Sequence, residues 1–308
     1  MYKQTNSMDF QSFINAIENE KNKFERFSFD WIDRQLEKRI DVIPLTTEDV
    51  FNGFGIARGR IGKFNCKNEI SYIPQQIAQD LMLKPGRVNA PNQSMFYGML
   101  IENEDNFFLG IASECHQKFL YELFKNNDET AVIEITVGFW TVKKDFVAIE
   151  IFPFPTPDSY RSYKANHYKE RAKEFELFGN SVDSMKRFYN ILNTYFRRKS
   201  TCSDDYFWSN YFSYKLMQKS GFKAITYPSF QNSERQTCIA LQPNIVDDHL
   251  ELTEVHCIEL HRINKTFFHI VTSYVKEENV KNEPWKWELN EKAESLKQAI
   301  IESERNKK

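Results

Sequence analysis

Glycine and proline each occur only 10 times in 308 residues, histidine 6 times and cysteine 5 times. With so few breakers the chain holds no Gly/Pro/Ser linker and no low-complexity segment, and it shows no internal repeat. The cysteines, Cys66, Cys115, Cys202, Cys238 and Cys257, are scattered, odd in number and without a CxxC pair. That excludes a disulfide framework and a thiolate zinc site, and leaves reduced thiols that serve mostly as small core residues. His116 and His167 present no evident partner acid or nucleophile, and HExxH, Walker and GxSxG motifs are lacking. A histidine triad, a zincin and a P-loop enzyme are therefore not expected. No stretch reaches the roughly 18 continuous apolar residues of a membrane span. The opening MYKQTNSMDFQSF lacks the charged start and apolar block of a signal peptide. These two absences make a soluble, cytoplasmic protein the expectation. Charge of one sign is lacking too. The 41 basic residues nearly match the 43 acidic ones, so no global field draws the chain to nucleic acid or an anionic membrane.

What the chain has in quantity is aromatic surface, with 27 phenylalanines and 14 tyrosines, enough to fill a sizeable core. Phe10, Phe13, Ile14, Ile17, Phe24 and Phe27 recur at helical spacing, and after Ser28 the stripe Ile32, Leu36, Ile40 continues it. Residues 1–45 thus read as a helical arm that ends near Pro44. From 50 to 245 the grain changes to short apolar runs. FGIARGRIG, SMFYGML and DFVAIEIF read as strands, and residues 162–177 and 182–197 as helices separated by Gly179 and Asn180. The segment from SDDYFW onward reads as an aromatic helix stopped by Gly221, then a buried strand that delivers Ser229 to its C-terminal edge. NNDETAVIEITVG is ambiguous, since its β-branched residues favour a strand while Asp128 and Glu129 look like a helix start. After 250, ELTEVHCIELHRI and TFFHIVTSYV flank NK as an antiparallel hairpin, and Leu289, Ala293, Leu296 and Ile300 form the stripe of a last helix. The expected organisation is one core over 50–245, with the arm at 1–45 and the hairpin and helix of 250–308 packed on it.

Arg58 and Arg60 lie at i and i+2 in IARGRIG, on one face of an extended segment, with Gly59 and Gly62 leaving them unshielded. Two guanidiniums so placed suit a pyrophosphate, because each offers a fixed fork of donors and keeps its charge; a solvated surface pair is the plain alternative. GRVNAPNQSMFYG adds Arg87, Asn89 and Tyr97. This is either an anion-holding turn beside a ring that stacks on a base or nicotinamide, or an ordinary loop before a core strand. Glu134 stands in a mostly apolar run, where an acid is costly unless it is paired, functional or turned to the surface. HCIELH brings Cys257, Glu259 and His261 to one strand face, but a fourth ligand is missing and no metal is expected. Arg197, Arg198 and Lys199 answer the dipole of a helix C-terminus rather than forming a nucleic-acid patch.

Taken in order, IARGRIG, GRVNAPNQSMFYG, ETAVIE and GFKAITYPS resemble the signatures of the RES domain family, named for its Arg, Glu and Ser. The resemblance covers about residues 54 to 245. It implies an α+β fold whose mixed sheet core is similar to that of ADP-ribosyltransferases and is flanked by helices. It implies NAD as the ligand, cleaved by water or by phosphate as co-substrate, with no metal. By motif, Arg58 is the family arginine, Glu134 its glutamate and Ser229 its serine, while Arg60, Arg87, Asn89, Tyr97 and Tyr227 bind the ligand. The implied roles follow the chemistry of a positively charged ribose: Glu134 as the carboxylate beside it, Arg58 and Arg87 on the phosphates, Ser229 on ribose or carboxamide, Tyr97 stacked on the ring. Many members are toxins whose antitoxin carries a helix-turn-helix and plugs the pocket. The chain departs from the pattern at Asn92, where the family commonly has glycine, and in the 37 positions from Tyr97 to Glu134. The helices of 162–197 extend it again, as a lid, a homo-oligomer contact or a block over the pocket. ADP-ribosyl transfer to a macromolecule, and a noncatalytic interaction protein that keeps the fold, stand beside NAD cleavage as readings.

Overall fold

The run from Thr130, ambiguous by propensity, is a strand of 13 residues in the computed structural model of the chain. It is paired along both edges, and a strand flanked on two sides keeps its Val, Ile and Thr side chains packed on a pleated surface, which outweighs a helix-start signal before it. The structure describes residues 14–15, 45–82, 84–101, 108, 110–112, 130–151, 173, 182–197, 206–229, 236–263 and 266–306. In chain order the elements are β1 (Thr46–Val50), β2 (Gly55–Ile61), α1 (Lys67–Ile70), α2 (Gln75–Asp80), β3 (Phe96–Leu100), β4 (Thr130–Val142) and β5 (Phe146–Glu150). There follow α3 (Val182–Arg197), α4 (Phe207–Ser220), β6 (Ala224–Pro228), β7 (Thr237–Leu241), α5 (Pro243–His249), β8 (Leu250–Ile263), β9 (Thr266–Val275), β10 (Glu288–Leu289) and α6 (Ala293–Asn306). The class is α+β. Of the expected arm only Ile14, Asn15 and Leu45, and of the helix over 162–177 only Lys173, fall within the described residues; Ile14, Asn15 and Lys173 are helical. Among the described residues no helix is long and apolar enough to cross a membrane.

The chain divides into two compact units, one with the described residues of 49–74, 94–146 and 229–308, the other with those of 1–48, 75–93 and 147–228. In the first, strands stand in the order β7-β3-β2-β4-β8-β9-β10, each pair antiparallel. The expected C-terminal addition is corrected here. β8 pairs with β4 from Val142↔Leu250 to Thr130↔Ile263, so the hairpin β8–β9 extends the sheet itself. Leu289 does not join the last helix either; it pairs with Ser273 in β10 and is 76 % exposed. Glu251 on β8 takes Lys281 at 2.5 Å and Lys143 at 3.0 Å. Hydrogen bonds and charge from these two lysines, Lys281 first, hold its carboxyl at about 2. A depressed carboxyl stabilises the fold above its unfolded value and loses that contribution as pH falls through the folded value. Glu251→Gln is therefore expected to cost about 0.5 kcal/mol at pH 7, the worth of solvent-facing ion pairs, and nothing at pH near 2, as urea melts at the two pH values would show.

In the second unit β1, β5 and β6 stand side by side, with β5 and β6 parallel. The main-chain N–H of Thr46 donates to Tyr189 Oη at 2.6 Å, and its hydroxyl donates to the carbonyl of Glu150 at 2.7 Å, tying β1 to α3 and β5. α3 spans the expected residues, and α4 stops where expected, at Gly221 with φ +76. The aromatic surplus is spent between these two helices: the Trp208 ring lies within 5.9 Å of Tyr195, Tyr211 and Phe212.

Candidate functional site

β2 and β3 lie side by side for two pairs only, Ile56↔Leu100 and Ala57↔Met99. Past these each strand keeps only its outer neighbour, β2 on β4 as far as Ile61↔Ile135 and β3 on β7 as far as Phe96↔Leu241. The sheet therefore opens between residues 58–61 and 96–98. Gly98 marks where the strands part: a Cβ there would stand 2.7 Å from Ile56 Cγ2 and 3.1 Å from the carbonyl of Ala57, so a side chain would push β3 away from β2.

Arg58 spans the opening. Its Nη1 donates to the carbonyl of Tyr97 at 2.7 Å, and its guanidinium carbon lies 5.0 Å from the centroid of the Phe96 ring. Two residues on, and on the same face by strand alternation, Arg60 Nη2 donates to the carbonyl of Ser71 at 2.9 Å. Ser94, just before β3, donates its hydroxyl to the carbonyl of Ile73. Both arginines are half-buried. Two guanidiniums that keep their charge, held by main-chain carbonyls at a break in a sheet, can grip a phosphate or pyrophosphate.

Glu134 shares this face but not this place. Arg58 faces Gly138 and Arg60 faces Thr136, so Glu134 lies about 13 Å along β4 from the level of Arg58 and about 7 Å from that of Arg60. It is exposed, and it stands opposite Glu259 of β8. Glu259 in turn accepts Nε2 of His261 at 2.8 Å and Nζ of Lys297 at 3.2 Å. His261 stacks on Phe268 at 5.0 Å, and burial pulls its pKa down. Burial pushes the Cys257 thiol up. Among the described residues no three His, Cys, Asp or Glu side chains gather as a metal site.

Ser229 is fully buried, and its main-chain N–H donates to the carbonyl of Gln236 at 2.9 Å. Gln236 immediately precedes β7, at the end of the sheet opposite to Glu134. Strand rise and spacing put Ser229 about 17 Å from Arg58 and about 30 Å from Glu134. The expected convergence of Arg58, Glu134 and Ser229 on one ribose is thus corrected: the first two share a face, and the third lies at the far end. Tyr97 is corrected as well. It alternates with Gly98, which puts its ring on the face opposite Arg58, and its carbonyl rather than its ring is what Arg58 holds. Phe96 is the ring beside Arg58; alternation turns Phe96 and Tyr97 to opposite faces, and the register Ala57↔Met99, which no local signal gives, decides that Phe96 is the one that meets Arg58.

Arg87, Asn89 and Tyr227 belong to the second unit and are brought together there. The buried Arg87 guanidinium lies 5.4 Å from the Tyr206 ring centroid and 5.9 Å from that of Tyr227. The loop around it is locked by Asn210, whose Nδ2 donates to the carbonyls of Asn89 and Gly86. Asn92 takes φ +61, in the left-handed region that a short polar side chain tolerates. Comparison with models of protein families finds no match for this chain, and comparison with curated proteins finds none.

Proposed function

We propose that the protein binds NAD and breaks its nicotinamide–ribose bond, the reaction of the RES family that its motifs resemble. The observation that supports this reading is the opening between β2 and β3 with Arg58 and Arg60 on one face of it. Arg58 and Arg60 hold the pyrophosphate through charge-assisted hydrogen bonds. Water or phosphate attacks the ribose as nicotinamide leaves. Arg87, with Asn89 and Tyr227, is a second anion-binding candidate within its own unit. The resemblance adds a helix-turn-helix antitoxin as the protein partner.

An exposed carboxylate is a poor stabiliser of a developing ribosyl cation, because water screens it. Glu134→Gln is therefore expected to change nicotinamide release by less than about threefold. The chain carries seven further acids between Glu102 and Glu129, outside the described residues, and the same assay on their amide variants finds the carboxylate that acts. A hundredfold fall in Glu134→Gln would return that role to Glu134.

The placement of Glu134 also favours a second reading, a noncatalytic nucleotide-binding protein with the same opening. Incubating the full chain with NAD, with and without phosphate, and following free nicotinamide separates the two. Release without phosphate indicates a hydrolase, release that requires it a phosphorylase, and label carried to a macromolecule a transferase. Binding of NAD without any release supports the noncatalytic reading.

A further inference from the structure

The opening between β2 and β3 is crossed, on its arginine face, by residues 70–73. Ile70 is fully buried over Gly138, the residue facing Arg58; a Cβ at Gly138 would stand 2.7 Å from Ile70 Cδ1. The carbonyl of Ser71 accepts Arg60 Nη2 from β2 at 2.9 Å, and that of Ile73 accepts the hydroxyl of Ser94, just before β3. The chain thus passes from β4 over β2 to the start of β3. α1 has ended at Ile70 and α2 begins only at Gln75. Among the described residues no hydrogen bond joins the main chain of Tyr72, Ile73 or Pro74 to another main-chain group. Side chains hold this segment down.

One of them belongs to the segment itself. Tyr72 Oη lies 2.8 Å and 2.6 Å from the two carboxylate oxygens of Asp247, either of which can accept its proton. Burial, then the hydrogen bond and charge of Asp247, push the Tyr72 hydroxyl up to about 12, so it stays a donor at physiological pH. Asp247 is anchored through α5, where its neighbour Val246 is fully buried. Beneath the segment, Ser71 Oγ is buried without a hydrogen-bond partner, and an unmet buried hydroxyl costs free energy that lifting the segment returns. A phosphate oxygen is a stronger acceptor for Arg60 than a carbonyl, because both partners of that bond are charged. To take Nη2 it has to displace Ser71. We propose that residues 71–73 are an autoinhibitory strap, which occupies Arg60 and yields to a pyrophosphate as readily as the Tyr72–Asp247 hydrogen bond lets it. The identity of the natural anion rests on the NAD reading above; the strap acts on any pyrophosphate that enters the opening.

The test is calorimetric titration of inorganic pyrophosphate and of ADP-ribose into the full chain, Tyr72→Phe and Asp247→Asn, beside limited chymotrypsin digestion in which cutting after residue 72 is followed by mass. Tyr72→Phe is expected to bind both ligands about three- to tenfold more tightly, the worth of one net hydrogen bond. Asp247→Asn keeps an acceptor without its charge and is expected to gain by a smaller factor; it carries the test if thermal melts show Tyr72→Phe unfolded. Pyrophosphate is expected to speed cutting after Tyr72 in the wild type, while Tyr72→Phe is cut fast without it. Unchanged or weaker binding in the variants, or pyrophosphate that protects the bond after Tyr72, overturns the strap. So does a chain that binds pyrophosphate in no variant. A wild type that binds pyrophosphate but neither ADP-ribose nor NAD overturns the NAD reading and leaves the strap standing.

Discussion

Arg58→Ala is expected to weaken NAD binding by about two to three orders of magnitude and to remove nicotinamide release, since two hydrogen bonds to a charged group are together worth about 3–5 kcal/mol. The substitution also strips the Tyr97 carbonyl of the donor that Arg58 supplies at 2.7 Å. An unmet carbonyl costs about 1–3 kcal/mol, so part of the loss in Arg58→Ala reports stability and has to be separated from binding. Arg58→Lys does that. An ammonium on a long stem still carries the charge and can donate to Tyr97, but it has no planar fork with which to take two oxygens of a phosphate. The lysine variant is expected to melt close to wild type and still bind NAD at least about tenfold more weakly. Isothermal titration beside a denaturation curve measures both. A lysine variant that binds NAD as well as wild type would remove the opening between β2 and β3 from any role in anion recognition.

The elements that could be read from sequence are those whose signal is local. α3 follows from its apolar stripe, α4 and β6 from Gly221 between an aromatic run and a buried one, and β2, β3 and β9 from alternation over a few residues. Asn92 in the left-handed region follows from the short polar side chain in a proline turn. Strand order and register are not local. Nothing near Glu134 shows that it will face Glu259, and nothing near His261 shows that its strand will pair with β4 and not hang from the core as an appendage. Pairing is decided by which buried faces match across more than a hundred residues of chain, and a carboxylate's place follows from that decision. The same holds for the opening in the sheet. Arg58 and Arg60 were legible as a pair on one face, but the parting of β2 from β3 after Ala57↔Met99 depends on Gly98 meeting Ile56, a contact between separate motifs.

Trp140→Ala carries the largest expected loss of stability, about 3–5 kcal/mol. Trp140 is fully buried and meets the equally buried Phe96 edge to face at 5.0 Å. Its six-membered ring covers Gly138, where a Cβ would stand 2.7 Å from Cζ3 and Cη2, and Ile70 Cδ1 of α1 lies at the same 2.7 Å. Removing the indole thus opens a cavity among Phe96, Gly138 and Ile70 that the β-sheet backbone cannot close by collapse. Phe96 is also the ring under the Arg58 guanidinium, and Gly138 is the residue facing Arg58 across the strands. A ring that loses its edge partner holds the guanidinium less firmly, and a loosened fork binds a fixed pair of oxygens less well. Trp140→Ala is accordingly expected to weaken NAD binding by about tenfold, measured well below its lowered melting temperature. Trp140→Phe separates packing from polarity. The indole Nε1 has no hydrogen-bond partner, so a phenyl ring deletes an unmet N–H while keeping the edge-to-face contact, and it is expected to cost less than about 1.5 kcal/mol and to leave NAD affinity unchanged. Equal losses in the two variants by urea melts would mean that Trp140 is held by its N–H, and that the aromatic support beneath Arg58 is not what keeps the opening in shape.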